Sequence, residues 1–395
     1  MRLLSVLLAA AVLPAAMCAA QDRAKPIPAP AYSQWKRGLP ADPGYFPIAV
    51  WLQSPAKAAA YKAAGVNLYV ALWQGPTAGQ LAQLKAVGMP VIVGQTAKSL
   101  AFIDEPTLVG WMHGDEPDNA QEVTDPVTGK KGYGPCIPPP KIVEDYKRIK
   151  AADPSRPVML NLGQGVANDG WVGRGSGAKL DDYRTYVQGS DITSFDVYPV
   201  ADNLKPTNDN LWYVSKGLDR LAQWTGGSKI VWNCIECTRI GGSTKATPNQ
   251  VRAETWLALI HGSRGIIYFC HQFKPKFDEH ALLDDPNMLR SVTATNKQIQ
   301  EMAPVLNSPT WLGSAIVAPS GGEPTIDVMV KRYKSAAYVF AVNTHPTPVK
   351  ASITLGGLRD KATVEFMDED KKLTASGDRF EAEFQPYEVH IFRVR

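Results

Sequence analysis

Tyr45-Phe46-Pro47-Ile48-Ala49-Val50-Trp51 is a β-rich run, followed by an alanine-rich helical stretch over 55–64 that stops at Gly65. A second apolar run follows, Val66-Asn67-Leu68-Tyr69-Val70-Ala71-Leu72-Trp73. It leads into a helical pattern over 77–86 with Leu81, Leu84 and Val87 near 3–4 spacing. Strand, helix, strand in this order calls for parallel pairing, because the helix must carry the chain back to where the next strand begins. The unit repeats. Apolar runs at 90–94, 108–113, 157–162, 191–198, 229–233 and 265–269 supply six more strands. Helical patterns at 141–151, 211–224, 248–261 and 289–305 fall between and after them, with an irregular insertion at 119–140. The helix at 248 has a written start: Thr247 as cap, Pro248 at the first position and Gln250 to complete a capping box. Eight such units over 44–310 predict a closed (β/α)8 TIM barrel of the α/β class. A doubly wound open sheet is the competitor, but no glycine-rich phosphate fingerprint follows the first strand.

From about Leu312 the pattern changes. Val, Ile, Phe and Tyr alternate with polar residues in short runs at 314–318, 325–332, 336–343, 349–354, 362–367, 379–384 and 387–394. Gly321-Gly322, Gly356-Gly357 and Ser376-Gly377 separate several of them, which predicts a C-terminal antiparallel β-sandwich over 311–395. Residues 21–43, rich in Ala, Pro and Lys, are expected to run over the barrel surface.

The first twenty residues read as a secretory signal: Met1-Arg2, an apolar run from Leu3 to Ala16, and Cys18-Ala19-Ala20 before Gln21 as a small-x-small cleavage site. Bulky Met17 argues against Cys18 as an acylated residue. No later segment is apolar and long enough to span a bilayer, so a secreted or periplasmic protein without a membrane partner is expected. Of 395 residues, 45% are hydrophobic, which excludes a disordered chain. Lys+Arg 42 against Asp+Glu 38, with no basic block, makes nucleic acid an improbable partner. Ten Trp and fourteen Tyr suit both cores and sugar-binding clefts. After signal removal four cysteines stay, Cys136, Cys234, Cys237 and Cys270, enough for two disulfides in any of three connectivities, or for buried thiols. Cys234-x-x-Cys237 lacks the second close Cys/His pair that a zinc site needs.

Chemistry in a barrel sits at the C-terminal ends of the strands. Strand 4 runs into His113-Gly114-Asp115-Glu116-Pro117-Asp118, and strand 7 into Trp232-Asn233-Cys234-Ile235-Glu236-Cys237. Strand 6 ends in Asp196-Val197-Tyr198-Pro199, strand 8 in Tyr268-Phe269-Cys270-His271-Gln272, strand 5 near Asn161, and strands 1 and 2 near Trp51 and Trp73. Two glutamates facing each other across the mouth, Glu116 and Glu236, would meet the needs of glycoside hydrolysis: one acid to protonate the leaving oxygen, one carboxylate to attack or to activate water. His113, His271, Gln272, Asn161 and Tyr268 are candidate sugar contacts, and Trp51, Trp73 and Trp232 candidate stacking platforms. The acidic run Asp278-Glu279-His280 and Asp284-Asp285 reads as a solvated loop, with calcium as the alternative. A metal-dependent hydrolase is disfavoured by six histidines with no H-x-H or H-x-x-x-H pair. Neither a metal nor another cofactor is expected.

These stretches resemble the retaining clan A glycoside hydrolases. Gly110-Trp111 with Gly114-Asp115-Glu116-Pro117-Asp118 looks like their strand 4 motif, Trp232 to Glu236 like strand 7, and Asp196-Val197-Tyr198-Pro199 like strand 6. The resemblance covers residues 45–305 and implies Glu116 as acid/base, Glu236 as nucleophile and Tyr198 as the nucleophile's hydrogen-bond partner. It also implies double displacement on β-linked oligosaccharides or polysaccharides. Two departures stand out. Asp115 occupies the place of an asparagine that binds the sugar 2-hydroxyl, and cysteines bracket Glu236. A Cys136–Cys237 disulfide would pin the strand 4 insertion over the cleft. The alternative function is a non-catalytic carbohydrate-binding protein on a degenerate barrel. Sugar identity would rest on the loops 119–140, 163–182 and 274–288.

Overall fold

The computed structural model describes residues 26–27, 32–175, 177–202, 210–319 and 325–395. The signal sequence expected at 1–20, and the start of the 21–43 stretch, lie outside the described residues. Eight parallel strands close into a barrel: β1 (Ile48–Trp51), β2 (Leu68–Val70), β3 (Val91–Gly94), β4 (Leu108–Met112), β5 (Val158–Leu162), β6 (Ile192–Phe195), β7 (Ile230–Val231 continuing as Asn233–Glu236) and β8 (Ile266–Phe269). The first half of β7 pairs with β6 and the second half with β8, while Asp196 bridges to Cys234 and β8 pairs back onto β1. The fold is therefore a TIM barrel followed by a β-sandwich.

A helix follows each strand: α1 (Ala58–Ala63), α2 (Ala78–Ala86), α3 (Ala97–Leu100), α4 (Pro139–Ala152), α5 (Tyr183–Tyr186), α6 (Trp212–Thr225), α7 (Pro248–Ile260) and α8 (Pro286–Leu306). Their starts are chemically encoded. Thr77 and Thr247 cap α2 and α7 in full capping boxes with Gln80 and Gln250, and Asp285 accepts from the Asn287 and Met288 amides at the start of α8. Side chains alternate along the strands. Ala49, Leu68, Val70, Ile92, Met159, Ile192, Ile230 and Ile267 fill the barrel, while Ile48, Val50, Tyr69, Val91, Leu160 and Ile266 join the core beneath the helices. Close approach makes glycine necessary at two places. A Cβ on Gly217 of α6 would lie 2.2 Å from the Phe195 ring, and one on Gly265 would lie 2.4 Å from Trp232.

The sandwich holds β9 (Thr310–Trp311), β10 (Ala315–Pro319), β11 (Ile326–Tyr333), β12 (Ala336–Asn343), β13 (Val349–Leu355), β14 (Thr363–Phe366), β15 (Lys372–Thr374), β16 (Arg379–Phe384) and β17 (Val389–Val394). One sheet runs Pro26–Ile27, β9, β11, β12, β17, β14, β15, and the other β10, β13, β16. Strand β12 is apolar on both faces for a reason. Val339 and Ala341 face the sandwich core, whereas Phe340 and Val342 join the barrel's core, with Phe340 stacked on Trp256 of α7 at 5.5 Å. The sequence pattern also passed over short elements: helices α3 and α5, the hairpin Glu122–Thr124 with Lys131–Tyr133 inside the 119–140 insertion, and strands β9 and β15. No helix among the described residues is long and apolar enough to cross a membrane.

The cysteines correct an expectation. Cys136, Cys234, Cys237 and Cys270 are all free, so the bridge between Cys136 and Cys237 does not form. The two thiols have different neighbours. Cys136 lies against Tyr186, while Cys237 sits beside Cys270 under the barrel wall with its thiol directed at the Phe269 carbonyl, 3.3 Å away.

Candidate active site at the barrel mouth

Backbone strain marks one end of the barrel. Leu52 (φ 47°), Ala71 (φ 65°), Gln74 (φ 52°), Glu116 (φ 42°) and Ile240 (φ 49°) hold left-handed conformations just beyond β1, β2, β4 and β7, and Arg174 (φ 53°) does so in the loop after β5. L side chains adopt this region at a cost that surrounding structure must offset, and such residues gather at functional sites.

Inside this ring the carboxyls converge. Asn161 on β5 donates from Nδ2 to Asp115 Oδ1 at 2.9 Å, and its Oδ1 accepts from Ser194 of β6 at 2.7 Å. The Cys234 thiol on β7 approaches the same Oδ1 at 3.7 Å. Asp196, one residue past β6, faces Glu116 and Asp115, with Tyr198 hydrogen-bonded to it. Glu116 Oε2 pairs with Arg174 Nη2 at 2.9 Å. Burial comes first in raising Asp196 well above the usual aspartate range, followed by the charges of Glu116 and Asp115. Asp115 opens to solvent but sits on the floor of the cleft. Its crowded surroundings, then the Glu116 charge, push it up to about 7. The arrangement places proton-holding carboxyls beside an ion-paired carboxylate, which is the raw material of general acid catalysis.

The cluster opens into a cleft of about 780 Å³ lined by Trp51, Trp73, Phe269, His271, Phe273 and Phe277 among others. Aromatic rings form a continuous wall: Tyr198 to Phe269 at 5.3 Å, Phe269 to His271 at 5.1 Å, and Phe273 to Phe277 at 5.9 Å. Trp73 is 69% exposed, so it serves no core. Burial holds His271 below the usual histidine range, and its Nδ1 finds no partner among the described residues.

The structure thus brings together Asp115, Glu116, Asn161, Asp196 and Tyr198, with Trp51, Trp73 and His271 along the adjoining cleft. Other candidates lie elsewhere. Glu236 is fully buried, and its two oxygens accept from the Val200 and Ala201 amides, each at 2.7 Å. Beside it is Glu254 of α7, whose carboxyl burial and the Glu236 charge drive far up. Glu236 is sealed behind the loop after β6 instead of facing Glu116. His113 bonds the Gly189 carbonyl through Nε2 at 2.7 Å, facing the helix layer. Trp232 donates to the Tyr32 hydroxyl at 2.9 Å, low in the barrel, and the Tyr268 hydroxyl donates to Asn296 of α8 at 2.9 Å. Gln272 contributes its backbone, bridged to Ile240 and Asp278. Sequence reasoning missed Arg174, Cys234 and the Phe269, Phe273, Phe277 wall; aromatics spaced by four just after a barrel strand were the available signal for the last.

Neither a protein-family model nor a curated protein matches this sequence. Solved structures do match in fold. A catalytic mutant of a GH42 β-galactosidase from G. stearothermophilus aligns with a TM-score of 0.57 at 9% identity, over 89% of this chain and 98% of that one. Alpha-galactosidase I from Mortierella vinacea gives 0.53 at 10% identity, over 89% and 97%. An α-amylase from Geobacillus thermoleovorans complexed with acarbose gives 0.51 at 11%, over 92% and 99%. The chain has the fold of these enzymes over about nine-tenths of its length.

Proposed function

We propose that this protein is an exported glycoside hydrolase acting on an oligosaccharide or polysaccharide. The observation that carries the reading is the convergence of Glu116 and Asp196 on Asp115, which lines an aromatic-walled cleft of sugar-binding size. The fold neighbours named above, a β-galactosidase, an α-galactosidase and an α-amylase, support the same class. The β linkage rests on the resemblance of the Gly110–Asp118 stretch to clan A enzymes, and export rests on the reading of residues 1–20.

The catalytic pair in this reading is Glu116 with Asp196. Glu236 is left out of the pair because it is fully buried and both its oxygens are held by the Val200 and Ala201 amides. Asp196 holds a proton and protonates the departing oxygen, while Glu116, paired with Arg174, attacks the anomeric carbon. The Asp196 carboxylate then takes a proton from the water that releases the sugar. This reverses the role that the resemblance implied for Glu116. Carboxyls in such close contact favour the retaining geometry of roughly 5–5.5 Å over the wider inverting one.

Azide rescue of the alanine variants tests both the pair and the roles. A Glu116→Ala enzyme yielding the inverted glycosyl azide and an Asp196→Ala enzyme yielding the retained one support the assignment. Full activity in either variant refutes it.

A second reading, a carbohydrate-binding protein without turnover, is favoured by the sealing of Glu236. Sugar binding by calorimetry with no hydrolysis of aryl glycosides of either anomer would establish it.

A further inference from the structure

Far from the barrel mouth, His390 of β17 presents a ring nitrogen to two carboxylates. Its side chain is only 3% exposed, wedged among Phe366, Phe384 and Phe392 at centroid distances of 5.0, 4.8 and 5.7 Å. Nε2 lies 3.1 Å from the Glu383 carbonyl and 3.5 Å from Glu388 Oε2. Both are acceptors, so Nε2 carries the hydrogen. Nδ1 then points a lone pair outward. It has no hydrogen-bond partner among the described residues, and Glu369 Oε1 stands 3.6 Å away. Ligand atoms of His390, Glu369 and Asp368 all lie within 4.8 Å of one another.

A lone pair set against two carboxylates is repulsive unless a proton or a metal cation lies between them. We propose that His390 Nδ1, Asp368 and Glu369 form a structural site for a borderline divalent cation of the zinc type. One imidazole nitrogen with two carboxylate oxygens suits that ion, and rotation of the two outer carboxylates shortens the spacing to the ~2.0–2.2 Å bonds it requires. The buried N–H to a backbone carbonyl is the support that metal-binding histidines use to fix their tautomer. The site links the turn between β14 and β15 to β17. Asp368 also pairs with Arg252 of α7 at 2.9 Å, so the cation fastens the sandwich to the barrel.

Zinc ion alone is the probe, titrated into chelator-stripped full-length protein by calorimetry, with melting followed in parallel. The expected result is one equivalent per chain and a Tm raised by about 3–5 °C in excess zinc. Glu369→Gln, a half-exposed substitution, and His390→Gln each weaken binding at least ~10-fold. His280→Gln, which alters the separate Asp278, His280 and Asp284 group, leaves it unchanged. Should His390→Gln fail to fold, Glu369→Gln and Asp368→Asn carry the test. Absence of uptake, uptake indifferent to Glu369, or uptake lost with His280 overturns the proposal. So does an imidazole ¹⁵N spectrum of the zinc-treated protein showing His390 protonated on both nitrogens, the signature of a plain ion pair.

Discussion

Arg174 and Glu116 join the loops after β5 and β4 through a 2.9 Å ion pair at the edge of the carboxyl cluster. Both residues hold left-handed backbone conformations, and the pair adds a side-chain tie between loops already joined by the backbone bonds Ala120 N–H to Gly173 O and Ala178 N–H to Asp118 O. Arg174 is partly exposed, and its loss opens no core cavity. Arg174→Gln is expected to lower kcat/KM about 10–100-fold through misplacement of Glu116 while leaving Tm within a degree. Steady-state kinetics beside thermal melting checks this, and a change below twofold would remove Arg174 from the machinery.

Trp73 makes a different prediction. An indole this exposed on a cleft wall contributes stacking to substrate without touching the reacting bond. Trp73→Ala should raise KM about 5–10-fold with kcat within twofold, the pattern of lost uniform binding. A fall in kcat at constant KM would instead place it at the reaction centre.

Asp115 gives stability a pH dependence of definite sign. Raised to about 7, it keeps in the folded chain a proton that the unfolded chain has released above its ordinary value of 3.8. Its contribution to stability is therefore whole below about pH 4 and declines as pH rises toward 7. Asp115→Asn retains an acceptor for Asn161 without the charge. Its gain in urea midpoint over the parent should be larger at pH 8 than at pH 4.5, and equal gains would contradict the shift.

Lys331 of β11 acts in the opposite direction. It is fully buried where the sandwich meets the barrel, donating to the Ser308 carbonyl at 2.7 Å, and burial with the Arg264 charge lowers it to about 6. Between pH 6 and its unfolded value of 10.5 the folded chain binds fewer protons, so this group's penalty fades as pH rises. Lys331→Met should raise Tm at pH 7, with the advantage shrinking by pH 10. A lowered Tm at pH 7 would mean the Ser308 bond outweighs desolvation.

Much of the fold was legible because strand and helix periods alternate cleanly and Thr247, Pro248 and Gln250 mark a helix start in sequence. The candidate cluster was legible in part. That Asp115, Glu116, Asn161, Asp196 and Tyr198 come together follows from the rule that barrels work at strand ends. The separation of Glu236 from Glu116 was not legible, because the chain position does not give the partners that hold its carboxyl. Strand β7 is interrupted at Trp232, and beyond it Cys234 faces the barrel while Glu236 is drawn to the Val200 and Ala201 amides. Arg174 was invisible for another reason: its partner lies 58 positions away across an irregular loop.

The underside of the barrel has a consequence for how the molecule is made. Tyr32 receives the Trp232 indole hydrogen and donates to the Arg264 carbonyl, 232 positions later, while Pro26–Ile27 pairs with Thr310–Trp311. During synthesis the segment holding Pro26 and Tyr32 emerges long before any of these partners. It must wait, unpaired, until more than half of the chain has left the ribosome, and its docking is among the last long-range steps.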